Sequence, residues 1–343
     1  MLKSEVYKYI KNIFLSGWCA DAVGSRLEFR KCTFTSDKVF DAMHFIGETT
    51  GGTYPGQYTD DSEMEIALLN GIIEGQHEDL FPVEHIAQSY IKWYKSEPFD
   101  MGQSVRNALL GAFCAEDLIN NSYEFNNYSQ SNGSLMRCIP LALLSVGKTF
   151  EEILELVECE VILIHSSKIV LYITALYCFL ISQIILYVLQ QNTTNISLLI
   201  DETRQLIINV LPDDENSDLL LEWFNQGINL TNICNYNAIT NEGHVKHAFI
   251  MVIYFLNNIN NYSYERAIKE VLMLGGDTDT NAKIVGNLFG AYYNDCIPEY
   301  MLKPVLKFDC TTECENFYFL RPIEYGINNG LHLVDKFVDI LKF

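Results

Sequence analysis

Two short acidic segments, far apart in the sequence, carry the residue types best suited to metal chemistry. Residues 275–282 read GGDTDTNA, and residues 59–62 read TDDS. Each segment places carboxylates beside hydroxyls, and hard divalent cations bind through oxygen clusters of this kind. Each segment is therefore a candidate half-site. Together they predict a dinuclear, oxygen-ligated metal centre built from the two ends of one domain.

Both acidic segments are expected to lie at helix N-termini. After the second segment, Ala282, Gly286 and Gly290 follow at four-residue spacing, which puts them on one helix face where another backbone can approach closely. Free N–H groups and the positive end of the helix dipole tolerate clustered carboxylates at such a terminus. The first segment has the same placement, ahead of a helix whose inner face would carry Met64, Ala67, Leu68 and Gly71.

Two other interpretations of the acidic segments have to be weighed. Asp and Thr are preferred helix N-caps, so either segment alone is more typical of a cap than of a ligand set. The occurrence of two such segments, each preceded by glycines, favours the metal site. All-α prenyl-transferring enzymes also hold Mg²⁺ with aspartate-rich helices, but they need a third carboxylate one turn after the first pair. Position 64 is methionine, so that interpretation lacks a ligand.

The composition argues against some classes of partner. The chain has 343 residues, 49% of them hydrophobic, and a net charge of −21. This charge repels phosphate backbones and argues against nucleic-acid binding, while bound cations would let an anionic small substrate approach. The ten cysteines form no CxxC pair and no secretory signal is recognisable, so we expect free thiols in a reducing compartment. We therefore expect a cytoplasmic monomer.

Helical periodicity predicts an all-α fold, with residues 1–343 as a single compact multi-helix domain. The clearest helical spans are 4–18, 60–74, 84–95, 103–113, 134–146, 151–164 and 169–190. Residues 47–56 and 119–133 are rich in Gly, Asn, Ser or Tyr and are interpreted as loops. Residues 191–217 contain Asn, Thr and Pro and are interpreted as a surface insertion or helix connection. The uncharged stretch 169–189 is long enough to span a bilayer, but its polar residues favour a buried central helix, and we expect no membrane insertion.

Several blocks of the sequence, in order, resemble the ADP-ribosylglycohydrolase family, which includes the bacterial dinitrogenase-reductase-activating glycohydrolases. The matching blocks are ADAVG (20–24) with Glu28-Phe29 for GDAxG…E, TDDSEM (59–64) for TDDTxM, DMGQS (100–104) for the bacterial DIGNT, SNGSLMR (131–137) for NGxxMR, HSS (165–167) for TH-x, and 275–282 for GGDTDT. Any one block is weak evidence, but six blocks in register are highly specific. The resemblance extends over roughly residues 13–293.

The resemblance implies an all-helical fold with two Mg²⁺ ions, or Mn²⁺, at the base of a cleft. The implied metal ligands are Thr59, Asp60, Asp61, Asp277, Asp279 and Thr280. We expect Glu28, Asp61 and Asp100 to be the catalytic carboxylates. The implied reaction hydrolyses the bond between ADP-ribose and a modified protein side chain, through a ribose with oxocarbenium character. The ions would orient the sugar and lower the pKa of a water molecule.

The remaining blocks are expected to hold the substrate, which is an ADP-ribosylated protein or a small molecule that contains ADP-ribose. Backbone N–H groups near residue 102 would meet the diphosphate, and the loop at 131–134 would form an anion site ahead of a helix. Phe125 or Tyr128 would stack on adenine. The expected substrate-binding residues are Gly102, Gln103, Ser104, Asn132, Gly133, Ser134, His165 and Phe125. Without the resemblance, the same residues fit turn, cap and core roles.

The sequence leaves the cleaved linkage and two alternative functions open. Asp100 occupies the position of a carboxylate suggested as general base in the arginine-specific bacterial branch, which slightly favours ADP-ribosyl-arginine. The HSS block at 165–167 is compatible with O-linked ADP-ribose. The alternative functions are a non-catalytic ADP-ribose-binding or structural relative, and another metal-dependent nucleotide hydrolase. Ala20, Ser62, Gln103 and Ser104 depart from the family pattern, but none of these changes removes a carboxylate.

Overall fold

Helices make up nearly all the regular structure of this protein. The computed structural model describes residues 1–28, 32–47, 49, 52–78, 80–192, 195–312 and 319–341. Within these ranges there is no β-strand, only an isolated bridge between Ser131 and His244, so the predicted all-α fold is confirmed. Phe29 and Cys314 lie outside the described residues.

The α-helices of the described ranges are numbered in chain order. They are α1 Lys3–Gly24, α2 Ser36–Met43, α3 Asp60–Glu74, α4 Val83–Lys95, α5 Gln103–Leu109, α6 Ala115–Phe125, α7 Ile139–Leu144, α8 Phe150–Val161, α9 Lys168–Leu189, α10 Ile196–Asn209, α11 Glu215–Asn229, α12 Val245–Asn257, α13 Tyr264–Leu274, α14 Thr278–Tyr292, α15 Glu299–Lys307 and α16 Ile327–Ile340. Short 3₁₀ turns span Leu135–Arg137, Ile233–Asn235, Ile259–Asn261 and Ile323–Tyr325.

A strip of small residues on α14 lets α1 approach it closely. A Cβ atom on Gly286 would lie 2.7 Å from the backbone oxygen of Ser16, and one on Gly290 would lie 1.9 Å from the Ser16 hydroxyl oxygen. Both distances are too short for non-bonded atoms, so only glycine fits at either position. This close approach was predicted from the spacing of the small residues. It places the end of α1 beside the beginning of α14.

The long apolar helix α9 lies inside the protein. By length and composition it is the one helix among the described residues that could cross a membrane, and 83% of its most apolar stretch is buried. It packs against α7, α8 and α14. The stretch 169–189 therefore forms the buried central helix that the sequence predicted.

Two predicted loops turn out to be partly helical. Residues 119–133 begin within α6, where Leu118 and Ser122 are buried at four-residue spacing. The asparagines of α6 are poor helix formers and hide this pattern, but tertiary packing overrides their preference. Residues 191–217 contain α10 and the start of α11, so this region, predicted to be a surface insertion or helix connection, is largely helical.

Two predicted helices end or break earlier than expected. The helix predicted at 103–113 ends at Leu109, because Leu110 is extended and Gly111 has a φ of +74°, a left-handed conformation that suits glycine. The helix predicted at 134–146 is divided into a 3₁₀ turn and α7. Pro140 lies at the beginning of α7, where its missing N–H group costs nothing.

One continuous hydrophobic core connects the helices from both ends of the chain. It runs from Tyr9 on α1 to Val338 on α16 and includes most of α9 and α12. The nine cysteines in the described part of the chain are free, in line with the expectation of unpaired thiols. The cleft described below is therefore held by packing rather than by cross-links between these cysteines.

Replacement of Gly286 by alanine is expected to destabilise the protein. The added Cβ would meet the rigid backbone of Ser16, and such overpacking costs about 1–3 kcal/mol. Gly330→Ala is the matched control, because its Cβ would meet only side-chain ends of Ile66 and Trp18, at 3.0 Å. The measurement is the midpoint of urea unfolding. Equal midpoints for the two variants would contradict the close packing of α1 on α14.

Candidate active site and metal centre

A cavity of about 590 Å³ opens where the N-terminal ends of α3, α5 and α14 meet. Part of its lining is strongly acidic. The acidic residues in the lining are Glu28, Asp60, Asp61, Asp100, Asp277 and Asp279. They come from distant parts of the sequence, so the fold brings together the two acidic segments and both additional carboxylates singled out from the sequence.

The first acidic segment is fixed by the beginning of α3. Thr59 is the N-cap, and its hydroxyl accepts a hydrogen bond from the N–H of Asp61 at 3.4 Å. Asp60 and Asp61 then occupy the first turn, where the helix dipole favours negative charge. The backbone N–H of Gly102 donates to Asp60 Oδ2 at 3.3 Å and links α3 to the beginning of α5.

Asp21, which sequence reasoning did not select, holds this segment from behind. Its carboxylate accepts the N–H and hydroxyl of Thr59, both at 3.0 Å, and the hydroxyl of Ser62 at 2.5 Å. Thr59 is 1% exposed and its hydroxyl hydrogen is directed to Asp21 rather than to the cavity. The signal for Asp21 was available, because it is the acidic residue of the ADAVG block.

The second acidic segment lies at the beginning of α14. Asp277 is the N-cap residue, and its Oδ2 accepts a hydrogen bond from Asn132 Nδ2 at 2.7 Å. Thr280 Oγ1 donates to Asp61 Oδ1 at 3.2 Å, which joins the two acidic segments directly. Gly24 ends α1 against this turn, and a Cβ there would lie 2.4 Å from the Cα of Asp279. Glycine at position 24 therefore sets the position of Asp279.

Glu28, Asp100 and Asp279 form the tightest carboxylate group of the cavity. One oxygen of each lies within 4.8 Å of the others. Burial is the main cause that raises the pKa of Glu28 and Asp279 well above the ordinary range, and neighbouring carboxylates add to it. Burial likewise raises the pKa of Asp100 to about 6, although the hydrogen bond from the N–H of Met101 lowers it. Burial and mutual repulsion thus disfavour the charged forms of these carboxyls, and a bound positive charge would favour them.

The donor atoms in the cavity fit a hard divalent cation. Asp61 Oδ2 and Asp277 Oδ1 are buried and have no hydrogen-bond partner. Such oxygens are costly to bury alone, and a cation held by oxygen ligands would satisfy them and relieve the repulsion between carboxylates. The neighbouring donors are carboxylates and the Thr280 hydroxyl, a set that suits Mg²⁺ or Mn²⁺ better than the softer metals.

A buried lysine, Lys283, lies one helical turn after Asp279 on α14. The Lys283 ammonium contacts Glu65 Oε2 at 3.2 Å and the Ser62 hydroxyl at 3.1 Å, and both charged side chains are fully buried. Trp18 Nε1 also donates to Glu65, at 2.8 Å. The positive charge of Lys283 lowers the pKa of Asp61, although burial and the neighbouring carboxylates outweigh it and the pKa is well above the ordinary range.

Uncharged polar groups form much of the remaining lining. Asn126 donates to the backbone oxygens of Ser104 and Ile164 at 2.7 and 2.8 Å, and it accepts from Asn107 at 3.1 Å. The Ser104 and Ser129 hydroxyls lie 2.7 Å apart. Ser104 belongs to the DMGQS block and was among the expected residues, whereas Asn107, Asn126 and Ser129 belong to no sequence motif and were missed. The other residues of the lining are Met101, Gly102, Gln103, Val105, Phe125, Ser131, Asn132, Gly133, Met136, Gly243 and Thr280.

Some residues expected in the cleft lie behind it or outside it. His165 Nε2 lies 2.8 Å from the Ser131 hydroxyl, and the ring lines a separate cavity of about 150 Å³. Burial, with the charge of Arg137, lowers the pKa of His165 well below its ordinary value, so the imidazole is neutral. Ser134 is buried against Thr174. Phe125 lines the cavity and is 55% exposed, whereas Tyr128 is 90% exposed and outside the lining.

Metal binding should stabilise this protein more strongly as the pH rises. The raised pKa values mean that the folded protein holds protons on these carboxyls more tightly than the unfolded chain does. Metal-free stability therefore falls as the pH rises from about 4, where the carboxyls of the unfolded chain ionise, through about 6 for Asp100 and beyond for Glu28. At 100 times its Kd, a cation adds about 2.7 kcal/mol, which corresponds to roughly 4 °C in Tm for a chain of 343 residues. The measurement is Tm with Mn²⁺, Mg²⁺ or EDTA at several pH values.

The control for this prediction is a pair of matched substitutions. Asp61→Asn should abolish the metal-dependent rise in Tm, because it removes an unpartnered carboxylate oxygen from the cavity. Asp201→Asn, on the exposed surface of α10, should leave the rise unchanged. A Tm that no divalent cation raises at any pH would contradict the metal centre.

Comparison with known proteins places the chain in a family. The sequence model of the ADP-ribosylglycohydrolase family matches residues 3–323. The protein named "Putative ADP-ribosyl glycohydrolase L543" of Acanthamoeba polyphaga mimivirus is 29% identical over 330 residues, which cover 91% of this chain and 95% of the viral protein. The ADP-ribosyl-(dinitrogen reductase) glycohydrolase of Rhodospirillum rubrum is 28% identical over 151 residues, or 43% of this chain and 48% of the bacterial protein.

A solved structure named "ADP-ribosylglycohydrolase-related protein complex" has the same fold. It superposes with a TM-score of 0.70 at 18% identity and covers 99% of this chain and 100% of its own. At that identity, the likeness concerns the fold alone. The family match, which extends over nearly the whole sequence, shows that the chain belongs to the ADP-ribosylglycohydrolase family.

Proposed function

We propose that this protein is a Mg²⁺-dependent hydrolase that cleaves the glycosidic bond between ADP-ribose and a modified protein side chain. One observation carries the proposal: six carboxylates from distant parts of a chain of this family line one cavity. The relatives are named as ADP-ribosyl glycohydrolases, which supports the reaction class. The cavity volume of about 590 Å³ lies in the range of small-molecule sites and suits a dinucleotide-sized ligand.

The proposed metal ligands are those that the sequence suggested, with two Mg²⁺ or Mn²⁺ ions as the cofactor. Asp60, Asp61, Asp277, Asp279 and Thr280 all contribute to the cavity lining, which supports them as ligands. Thr59 is also a predicted ligand, and its hydrogen bonds to Asp21 support a second role, that of orienting the first turn of α3. Bound cations would neutralise the carboxylates, orient the ribose hydroxyls and lower the pKa of a water molecule.

The proposed catalytic carboxylates are Glu28, Asp61 and Asp100. Glycosidic cleavage builds positive charge on the ribose, and a cluster of carboxylates stabilises that charge. Burial raises the pKa of Asp100 to about 6 in the metal-free protein, which supports it as the general acid or base of the reaction. Glu28 lies in the same tight group and is the second candidate for this proton transfer.

The uncharged part of the lining is proposed to hold the ADP-ribose moiety. Gly102, Gln103, Ser104, Asn132 and Gly133 contribute to the cavity lining, and their polar groups, which are hydrogen-bonded within the protein, would exchange or share these bonds with phosphate oxygens. Phe125 offers a half-exposed ring for the adenine. Ser134 and His165 would act indirectly, since Ser134 bonds to Thr174 and His165 bonds to Ser131.

Among the linkages, ADP-ribosyl-arginine is slightly favoured. Asp100 lies beside Glu28 and Asp279, so a guanidinium leaving group would meet negative charge at the cavity. The residue that made O-linked ADP-ribose plausible, His165, lies behind Ser131 and lines a different cavity. Arginine is therefore the better-supported acceptor.

We also propose that residues 1–343 act as a single cytoplasmic domain, as a monomer, without binding nucleic acid or inserting into a membrane. The shared hydrophobic core supports one domain. The net charge of −21 and the acidic cavity argue against nucleic-acid binding. The nine free cysteines fit a reducing compartment.

The test is release of ADP-ribose from arginine-linked and serine-linked substrates in parallel, with Mg²⁺ and with EDTA. We expect Mg²⁺-dependent release, faster from the arginine-linked substrate. Asp100→Asn should lower kcat by about 10²–10⁴-fold, because it removes a group that transfers a proton, and it should change ADP-ribose binding little. Asp201→Asn is the control on the exposed surface of α10.

Other outcomes of this test separate the alternative functions. Tight ADP-ribose binding without release from either substrate would favour a non-catalytic binding relative. Phosphate release with the glycosidic bond intact would favour another nucleotide hydrolase. Release that persists in EDTA would contradict the metal dependence.

A further inference from the structure

The loop between α4 and α5, which carries Asp100, is tied to α3 at both of its ends. At one end, the N–H of Gly102 donates to Asp60 Oδ2 at 3.3 Å. At the other end, Ser96 is joined to Glu63 of α3 through the guanidinium of Arg321. Asp100 lies between these two attachments. The position of its carboxylate relative to Asp60 therefore depends on Arg321 as well as on the cavity itself.

Arg321 forms a buried fork between two elements. Its Nε and Nη2 donate to Glu63 Oε1 and Oε2 at 2.9 and 2.8 Å. Its Nη1 and Nη2 donate to the backbone oxygen and the hydroxyl of Ser96, both at 2.8 Å. Arg321 is 4% exposed and Glu63 is 2% exposed. Trp93 Nε1 also donates a hydrogen bond to Glu63 Oε2, at 2.8 Å. All these contacts lie outside the cavity lining.

The residue Phe319, close to Arg321, supports the middle of the same loop. Its ring stacks on Phe99, directly before Asp100, with centroids 4.5 Å apart and planes inclined by 22°. Gln57 Nε2 fixes the backbone oxygen of Phe319 at 3.1 Å. Residues 319–321, which we call the buttress, therefore touch the loop at Ser96 and at Phe99.

The loop needs such external support for two reasons. Glu97 has a φ of +53°, a backbone conformation that residues other than glycine rarely adopt. The intrinsic backbone preference of Glu97 therefore does not stabilise this turn. Asp100 is also repelled by Glu28 and Asp279, which lie within 4.8 Å of it. Without a fixed outer wall, this repulsion would move the loop away from the cavity.

We propose that the buttress positions Asp100 for the reaction, and that Arg321 is a positioning residue for that carboxylate. The role rests on the proposed hydrolase function. Arginine is suited to it because its planar fork donates to Glu63 and to Ser96 at once. Lysine has the charge but lacks the fork, so Arg321→Lys separates the geometric role from the charge.

The first test is hydrogen exchange, which does not depend on turnover. The N–H groups of Met101 and Gly102 are hydrogen-bonded to Asp100 and Asp60, so they report on the loop. Arg321→Lys and Phe319→Ala should each speed exchange at residues 99–103 by about tenfold, with α13 unchanged. Arg204→Lys is the matched control, since Arg204 donates to Asn225 on the surface, away from the loop and from α13.

The second test is steady-state kinetics of the same variants. Arg321→Lys should lower kcat by about 10–100-fold and leave KM nearly unchanged, because Asp100 is displaced while the rest of the lining is kept. In the Asp100→Asn background, Arg321→Lys should cause almost no further loss, since it acts through the carboxylate already removed. If the losses in kcat of the two single variants add up in the double variant, the proposal that Arg321 acts through Asp100 is contradicted.

The two tests distinguish failure of the inference from failure of the proposed function. Unchanged exchange at 99–103 in both variants would overturn the buttress, as would equal acceleration in α13, which would make Arg321 a support of the whole fold. If the wild-type protein releases no ADP-ribose, the hydrolase proposal fails, and exchange alone decides whether the buttress holds the loop.

Discussion

The structure depends on holding six carboxylates around one cavity against their mutual repulsion. Asp60 and Asp61 lie at the beginning of α3, and Asp277 and Asp279 lie at the beginning of α14. Helix dipoles favour negative charge at both places. The buried ammonium of Lys283 lies one turn away and offsets part of the charge. Gly286 lets α1 pack on α14 at a distance that no larger residue permits, so the acidic turns cannot separate easily. A divalent cation would neutralise the negative charge that these features leave in the cavity.

Around this acidic centre, the remaining elements have different tasks. Asp21 on α1 fixes Thr59 and Ser62, and thereby the first turn of α3. Asn126 and the serines near it form an uncharged surface that can meet phosphates without adding repulsion. Arg321 holds the loop of Asp100 from outside. The charge proposed to bind cations and the surface proposed to bind a ligand thus come from separate elements of one helical scaffold.

The sequence predicted the parts of the site that are encoded locally. Acidic residues beside helix starts and small residues at four-residue spacing identify the two half-sites, because capping and helix geometry depend on near neighbours. It did not identify Lys283 or Arg321, since their partners lie 218 and 258 residues away and neither belongs to a motif. Helix α6 was missed because tertiary burial outweighs the low helix propensity of its asparagines. Helix α10 was missed because the Asn- and Thr-rich residues 191–195, which precede it, dominated the interpretation of that region.

The most direct test of this account is anomalous diffraction from crystals of the protein grown with Mn²⁺. The account predicts two Mn²⁺ peaks in the cavity, within coordination distance of Asp61 Oδ2 and Asp277 Oδ1, the two carboxylate oxygens that are buried without a partner. It also predicts that Thr280 contributes its hydroxyl. Absence of any peak between the two acidic turns, with both aspartates protonated or paired to each other, would contradict the claim that a divalent cation completes this site.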